Sequence, residues 1–145
     1  MTLVDFPIAH RQATVADSAL LAELNKQLID DEGHRNPMTL PELESRMRGW
    51  LAGDYTATIF ERDGRVIAYA LWRHEPDDIY LRQFFVARAH RREGIGRQAM
   101  RLLTDEVWPR GMRVRVEVLV ENGAGLAFWR SVGFRDYSMS LEMER

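Results

Sequence analysis

The amino-acid sequence predicts one α/β (α+β) domain, spanning residues 1–145, built around a single sheet. Three observations carry that prediction. Strand-like and helix-like segments alternate in the order βααβββαβαβ, the mixed order of a layered domain. The segment at 78–86 is apolar on both faces, Ile79, Leu81 and Phe85 against Tyr80, Phe84 and Val86, as a central strand covered on both sides requires. A chain of 145 residues can bury about two thirds of the surface its unfolded form exposes, enough for one core.

Each element has its own signal. Residues 8–13 have strand character, and Thr14 with Asp17 forms a capping-box pattern ahead of Leu20, Leu24 and Leu28, which repeat at helical spacing. Residues 30–37 are too polar, and too broken by Gly33 and Pro37, to be more than a loop. Thr39, Pro41 and Glu42 start a second helix, whose Leu40, Leu43, Met47, Trp50 and Leu51 share one face before Gly53 ends it. Residues 55–61 and 66–73 are rich in β-branched and aromatic side chains and flank the Asp63-Gly64 step of a tight hairpin. A third helix runs from about Ile95 until Pro109 stops it. Residues 112–120 read as a strand, 123–132 as a helix capped by Gly133, and 135–143 as a final strand.

Composition narrows the chemistry. No apolar run approaches the roughly 20 residues needed to cross a bilayer, and the N-terminus lacks the basic and apolar regions of a signal peptide, so a cytoplasmic protein with no membrane partner is expected. Without cysteine there is no disulfide, no thiolate nucleophile and no Cys-based zinc site. His10, His34, His74 and His90 do not fall at metal-ligand spacing, so no metal is expected. The net charge of −2 hides an asymmetry: residues 1–81 hold 8 basic and 14 acidic side chains, and residues 82–135 hold 11 and 5, all eleven bases being arginine. That pattern suits an anion at one half and a cation facing the other. Acidic residues interspersed among the arginines argue against a nucleic-acid partner.

The stretch from Val86 to Arg97 joins a buried strand to a helix start. Gly94 and Gly96 allow a sharp turn and close approach to a ligand, while the free N–H groups of the first helical turn offer positive dipoles to an anion such as a pyrophosphate. No Gly-Lys-Ser/Thr follows, so this is not a P-loop. The third glycine of a Rossmann fingerprint is also missing.

The segment resembles the cofactor loop of the GNAT superfamily of N-acetyltransferases, Gln/Arg-x-x-Gly-x-Gly/Ala after a strand ending in Val; Arg91, Gly94 and Gly96 fill the fixed places and Val86 lies at the expected distance. Downstream, Asn122 opens a helix, and the run from Phe128 through Trp129, Arg130 and Gly133 to Phe134 is similar to the family's Asn-x-x-Ala-x-x-Phe-Tyr-x-x-x-Gly-Phe stretch. Gly125 replaces the usual Ala, Arg92 and Glu93 replace Gly and Lys, and Trp129 replaces Tyr. The resemblance implies a GNAT-like domain with a central mixed, mostly antiparallel sheet flanked by helices, and acetyl-CoA as acyl donor. It further implies that Arg91, Arg92, Glu93, Gly94, Ile95, Gly96 and Arg97 cradle the pyrophosphate. Phe84, Phe85 and Val86 provide the strand that faces pantetheine, and Asn122, Phe128, Trp129 and Arg130 contact the cofactor, the last at its 3′-phosphate. The resemblance also allows a homodimer.

In the family, the amine attacks the thioester directly and a backbone N–H near Val86 stabilises the oxyanion, a contribution of typically about 3 kcal/mol. An amine of pKa near 10.4 costs about 4.6 kcal/mol to neutralise at pH 7, so a base or water chain is required. Tyr80 stands where histone-modifying members carry a glutamate, and a phenol is a poor base at neutral pH. With indole at Trp129 unable to supply a proton, Tyr80, Tyr137 or water is expected to protonate the departing sulfur. Asp31, Glu32 and His34, in the loop after the first helix, are candidates to bind a cationic small-molecule or peptide amine, as are the acids around Asp77 and Asp78. The alternative is a non-catalytic sensor that binds CoA or acyl-CoA.

Overall fold

The computed structural model describes residues 7–33 and 35–145. Among these, five strands form one sheet in sequential order: β1 (Ala9–Gln12), β2 (Tyr55–Arg62), β3 (Arg65–His74), β4 (Asp78–Val86) and β5 (Arg113–Val116). The first three pairings are antiparallel and β4 with β5 is parallel, giving the mixed, mostly antiparallel sheet. Four α-helices flank it: α1 (Ser18–Glu32), α2 (Leu40–Ala52), α3 (Ile95–Leu102) and α4 (Gly123–Ser131). The expected helix from Ile95 to Pro109 is α3 continued by a single π-helical stretch, Leu103–Val107.

Capping residues fix the first two helices where the sequence places them. Thr39 and Glu42 exchange side-chain bonds with each other's backbone N–H, and Thr14 with Asp17 does the same before α1. Leu21, Leu24, Leu28 and Met47 then cover one face of the sheet, against Ala57, Ile59, Tyr69, Leu71 and Phe85. On the other face Ile95, Ala99, Met100, Leu103 and Trp108 cover Ile67, Ala68, Ala70, Ile79 and Leu81. No helix among the described residues is long and apolar enough to cross a membrane.

Two expectations are corrected. Ile79, Leu81 and Phe85 do not share a face, because the β3–β4 register pairs Leu71 with Gln83 and Trp72 with Leu81, leaving Arg82 as an extra residue. A bulge reverses side-chain alternation beyond it, so Phe85 joins the α1–α2 layer while Phe84 and Val86 pack toward α3 and α4. The final strand expected at 135–143 is the second. That stretch pairs with no strand among the described residues, and Tyr137, Met139, Leu141 and Met143 are 74–88% exposed. Alternation supplies an apolar face, but a strand also needs an edge. The neighbouring β5 is four residues long rather than the nine expected from 112–120.

Candidate active site

The site follows from how β4 and β5 part. Their pairing ends at Leu81 and Val116, while β4 stays paired with β3 as far as Val86. From residue 82 onward, β4 therefore has one edge open. Ala87 N–H donates to Ile67 C=O at 2.8 Å, so by alternation the backbone groups of Phe84 and Val86 turn away from β3 toward that open edge. A cleft of about 770 Å³ runs along it, between α1 on one side and the start of α3 and α4 on the other.

One end of the cleft is the glycine turn. Gly94, at φ 76°, is the N-cap of α3, and Arg92 at φ 65° precedes it in the same left-handed region. Backbone of this shape points successive N–H groups into one concavity, the geometry that receives a phosphate. Gly96 sits under an aromatic ring: a Cβ there would lie 2.9 Å from Phe128 Cε1 and 3.1 Å from Cζ. The loop is braced from behind. Arg91 Nε donates to Val86 C=O at 3.0 Å, Arg62 bonds Glu93 at 2.7 Å, and Arg88 and Arg91 both bind the Asp31 carboxylate, at 2.7 and 2.5 Å. Burial pushes the Asp31 carboxyl up, but the hydrogen bonds from Arg91 and Arg88 outweigh it and hold the group below its ordinary range.

The structure brings most of the expected donor-binding residues to this cleft. Phe84, Phe85, Val86, Arg91, Arg92, Gly94, Ile95, Gly96, Arg97, Asn122, Phe128 and Trp129 all line it. Glu93 and Arg130 do not: Glu93 turns to Arg62, and Arg130 is paired with Asp136 at 2.9 Å outside. The Asn122 side chain accepts from Gly125 N–H at 3.0 Å and donates to Glu32 at 3.4 Å. With Asn122 in this rotamer a Cβ at residue 125 would fall 2.4 Å from its amide nitrogen, so an alanine there would require the Asn122 side chain to shift. Phe84, Phe128, Trp129 and Phe134 form one aromatic cluster, with Phe84 and Phe128 stacked at 5.9 Å and Phe128 and Trp129 edge to face at 5.0 Å.

At the other end of the cleft stand Tyr80, Arg82 and Glu117. Burial, then the charge of Glu117, pushes the Tyr80 phenol above its ordinary pKa, and Arg115 lies over its ring with Cζ 4.4 Å from the centroid. Asp31 and Glu32, expected in a loop at 30–37, instead form the last turn of α1, which continues to its C-cap at Gly33, and line the cleft from there, Asp31 being tied to the glycine turn; His34 lies outside the described residues. Tyr137 is not in the cleft: it is 82% exposed, on the C-terminal stretch that forms no strand. Sequence reasoning missed Glu117, Arg46 and Asn25, which the cleft also includes. Glu117 was discoverable only from register: Arg115 lies opposite Tyr80, so the next residue on the same side of β5 is 117.

Residues 21–134 match the model of the acetyltransferase (GNAT) family. The chain belongs to this family. It is an acetyl-CoA-dependent N-acetyltransferase, 31% identical over 140 residues to the N-alpha-acetyltransferase RimI of Mycobacterium tuberculosis, across 93% of this chain and 83% of that one. Among solved structures, the BH1408 protein of Bacillus halodurans is similar with a TM-score of 0.79 at 22% identity, over 94% of this GNAT chain and 99% of that one. A protein of Clostridium acetobutylicum described as a predicted acetyltransferase and determined with acetyl-CoA aligns with a TM-score of 0.74 at 21% identity, covering 95% and 96%. These likenesses carry the fold.

Proposed function

We propose that this GNAT chain acetylates the amino group of a small molecule or a peptide, with the donor laid along the open β4 edge and the acceptor entering beside Tyr80 and Glu117. The observation that carries this reading is the continuous cleft joining an unpaired strand edge to a left-handed glycine turn. Acetyl-CoA, when bound, supplies a thioester carbonyl and a thiolate leaving group. The turn from Arg91 to Arg97 holds the pyrophosphate, and the backbone of Phe84 and Val86 pairs with the pantetheine amides as a further strand would. Asn122 borders the same arm. A backbone N–H near Val86 is the donor toward the carbonyl oxygen, held in place by the sheet, so it needs no reorganisation.

For the acceptor, Glu117 is the base that the required loss of a proton calls for. Of the cleft carboxylates, Asp31 is committed to two arginines and Glu32 to Asn122, whereas Glu117 has a single 3.4 Å contact with Arg115 and is 73% exposed. The amine nitrogen bonds the carbonyl carbon as the carbon–sulfur bond breaks. The amine proton passes to Glu117, directly or through one water, and Tyr80 returns a proton to the sulfur. Trp129, packed in its aromatic cluster, shields the reacting carbon from water. Asp31 belongs in this reading to the donor loop, not to the acceptor.

The purified protein, given acetyl-CoA and a panel of amino acids, peptides, polyamines and aminoglycosides, should release CoA thiol in an amine-dependent way. Tight acetyl-CoA binding with no release on any amine would identify the sensor alternative instead. A cytoplasmic location belongs to the same proposal, because the donor is consumed there. So does a homodimer, supported by the apolar side of residues 135–143, whose Tyr137, Met139, Leu141 and Met143 are uncovered. Light scattering should give twice the mass of 16.9 kDa, reverting to a monomer when Leu141 and Met143 are changed to glutamate. A wild-type monomer at micromolar concentration would end that part of the reading.

A further inference from the structure

Four arginines stand around the acceptor end of the cleft, and their partners divide them into two kinds. Arg73 lies 4.9 Å from the Tyr55 ring centroid and is paired with Glu75 at 2.6 Å. Arg115 over Tyr80 is paired at 3.4 Å with both Asp78 and Glu117. Arg46 and Arg82, by contrast, have no carboxylate partner among the described residues. Both rest on one indole, with Cζ 4.4 and 4.8 Å from the Trp50 centroid. Arg82 Nη1 donates to the Tyr55 hydroxyl at 3.3 Å, and Arg46 Nη2 donates to the Oδ1 of buried Asn25 at 3.0 Å. Arg46 Nε is buried with no hydrogen-bond partner.

Such an arrangement is costly in isolation. Two like charges share one ring, and an unpaired donor on a partly buried cation forfeits hydration. Burial, and next the charge of Arg82, holds the Arg46 guanidinium below its ordinary pKa. An anion bound beside both guanidinium groups would offset the like-charge repulsion between them. The bulge in β4 has a matching consequence, since Arg82 is the extra residue and its side chain is thereby aimed at α2 rather than into the core layer. The pair is also separate from the phosphate-binding turn. Asn25, which holds Arg46, and Asp31, which holds the turn, are six residues apart on α1, about 9 Å along its axis.

We propose that Arg46 and Arg82 form an anion subsite, selecting acceptors that carry a carboxylate in addition to the amine that is acetylated. The direction assigned to the cleft rests on the acetyl-transfer reading above. Trp50 and Tyr55 hold the two guanidinium groups, both of which line the cleft, and a planar carboxylate is the anion a guanidinium matches best. The source is a peptide with an acidic residue near its N-terminus or a small amino acid, and matched probes separate the two.

The probes are Ala-Glu-Ala-Ala amide against Ala-Gln-Ala-Ala amide, and 4-aminobutyrate against 4-aminobutanamide. Calorimetry on the full protein, with and without CoA, reads binding independently of turnover, and thiol release reads transfer. The acid of at least one pair should bind about tenfold more tightly than its amide. Arg82→Gln, at an exposed position, should erase that preference by raising the KM of the acid with little change in kcat, and should leave the amide unaffected. Arg82→Lys should restore only part of it. Preference confined to the peptides names a peptide acceptor, preference confined to 4-aminobutyrate a small one, and both support the subsite. Equal binding of acid and amide in both pairs, or a preference that survives Arg82→Gln, overturns it. An intact carboxylate preference without transfer to any amine would sink the transferase reading and leave the anion subsite standing.

Discussion

Gly96→Val should weaken acetyl-CoA binding by about a hundredfold or more, an effect of about 2.7 kcal/mol, while the protein stays folded. The added Cβ would sit 2.9 and 3.1 Å from the Phe128 ring and 3.7 Å from Phe84, distances that force one partner to move. If the Phe128 ring yields, it moves into the cleft that receives pantetheine. If the backbone yields, the first-turn N–H groups of α3 lose their aim at the pyrophosphate. Either way the donor loses its seat. The core loses little, because α4 contributes no fully buried residue and Phe128 is only half-buried. Calorimetry with acetyl-CoA measures the loss, and circular dichroism with a thermal melt verifies the fold. Unchanged affinity in a folded variant would detach the glycine turn from donor binding.

The parts of the fold that could be read from sequence are those that local chemistry decides. The Thr39 and Glu42 capping box, the Asp63-Gly64 hairpin and the helical repeat of Leu20, Leu24 and Leu28 each depend on a few neighbouring residues, and each forms as expected, with Leu24 and Leu28 buried, Leu20 partly buried, and Leu21 buried beside them. What went astray depends on partners far along the chain. The bulge at Arg82 leaves no local trace in a run of apolar residues, since it is set by how β4 registers against β3. The last strand fails for the same kind of reason. Residues 135–143 alternate correctly, but β5 ends at Val116.

The site divides in the same way. Its donor end is built from one continuous segment, Val86 to Arg97, whose turn and charges sit together in sequence, and the structure gathers nearly all of it. The end proposed for the acceptor is assembled from α1, α2, β2, β4 and the residue after β5, so Asn25, Arg46, Tyr55, Arg82 and Glu117 meet only after folding. Segment charge was misleading here. The acidic half suggested a cationic acceptor held by Asp31 and Glu32, yet Asp31 is bound to Arg88 and Arg91, and among the described residues Arg46 and Arg82 have no carboxylate partner. Net charge by segment describes a surface on average, whereas recognition depends on which charges lack partners.

Glu117→Gln should lower kcat/KM by about 10² to 10⁴ and leave acetyl-CoA affinity unchanged, since a carboxylate that takes the amine proton acts on the acceptor alone. A second, independent reading comes from Tyr80, which faces Arg73, Arg82, Arg115, Tyr55 and Glu117. Its pKa is raised first by burial and then by the negative charge of Glu117, so the phenol remains protonated well past neutrality and can act as the proton donor to sulfur. The sign follows: donor activity persists below the raised pKa and is lost only as the pH climbs through it. Neutralising residue 117 removes one of the causes of that rise, so the phenol of Glu117→Gln should ionise at lower pH than in the wild type, as followed by tyrosinate absorbance. Tyr80→Phe should lower kcat at neutral pH and abolish the alkaline limb altogether. A Glu117→Gln variant that keeps its rate would return the base to a water chain, and a Tyr80→Phe variant with an unaltered profile would leave the sulfur to depart as thiolate.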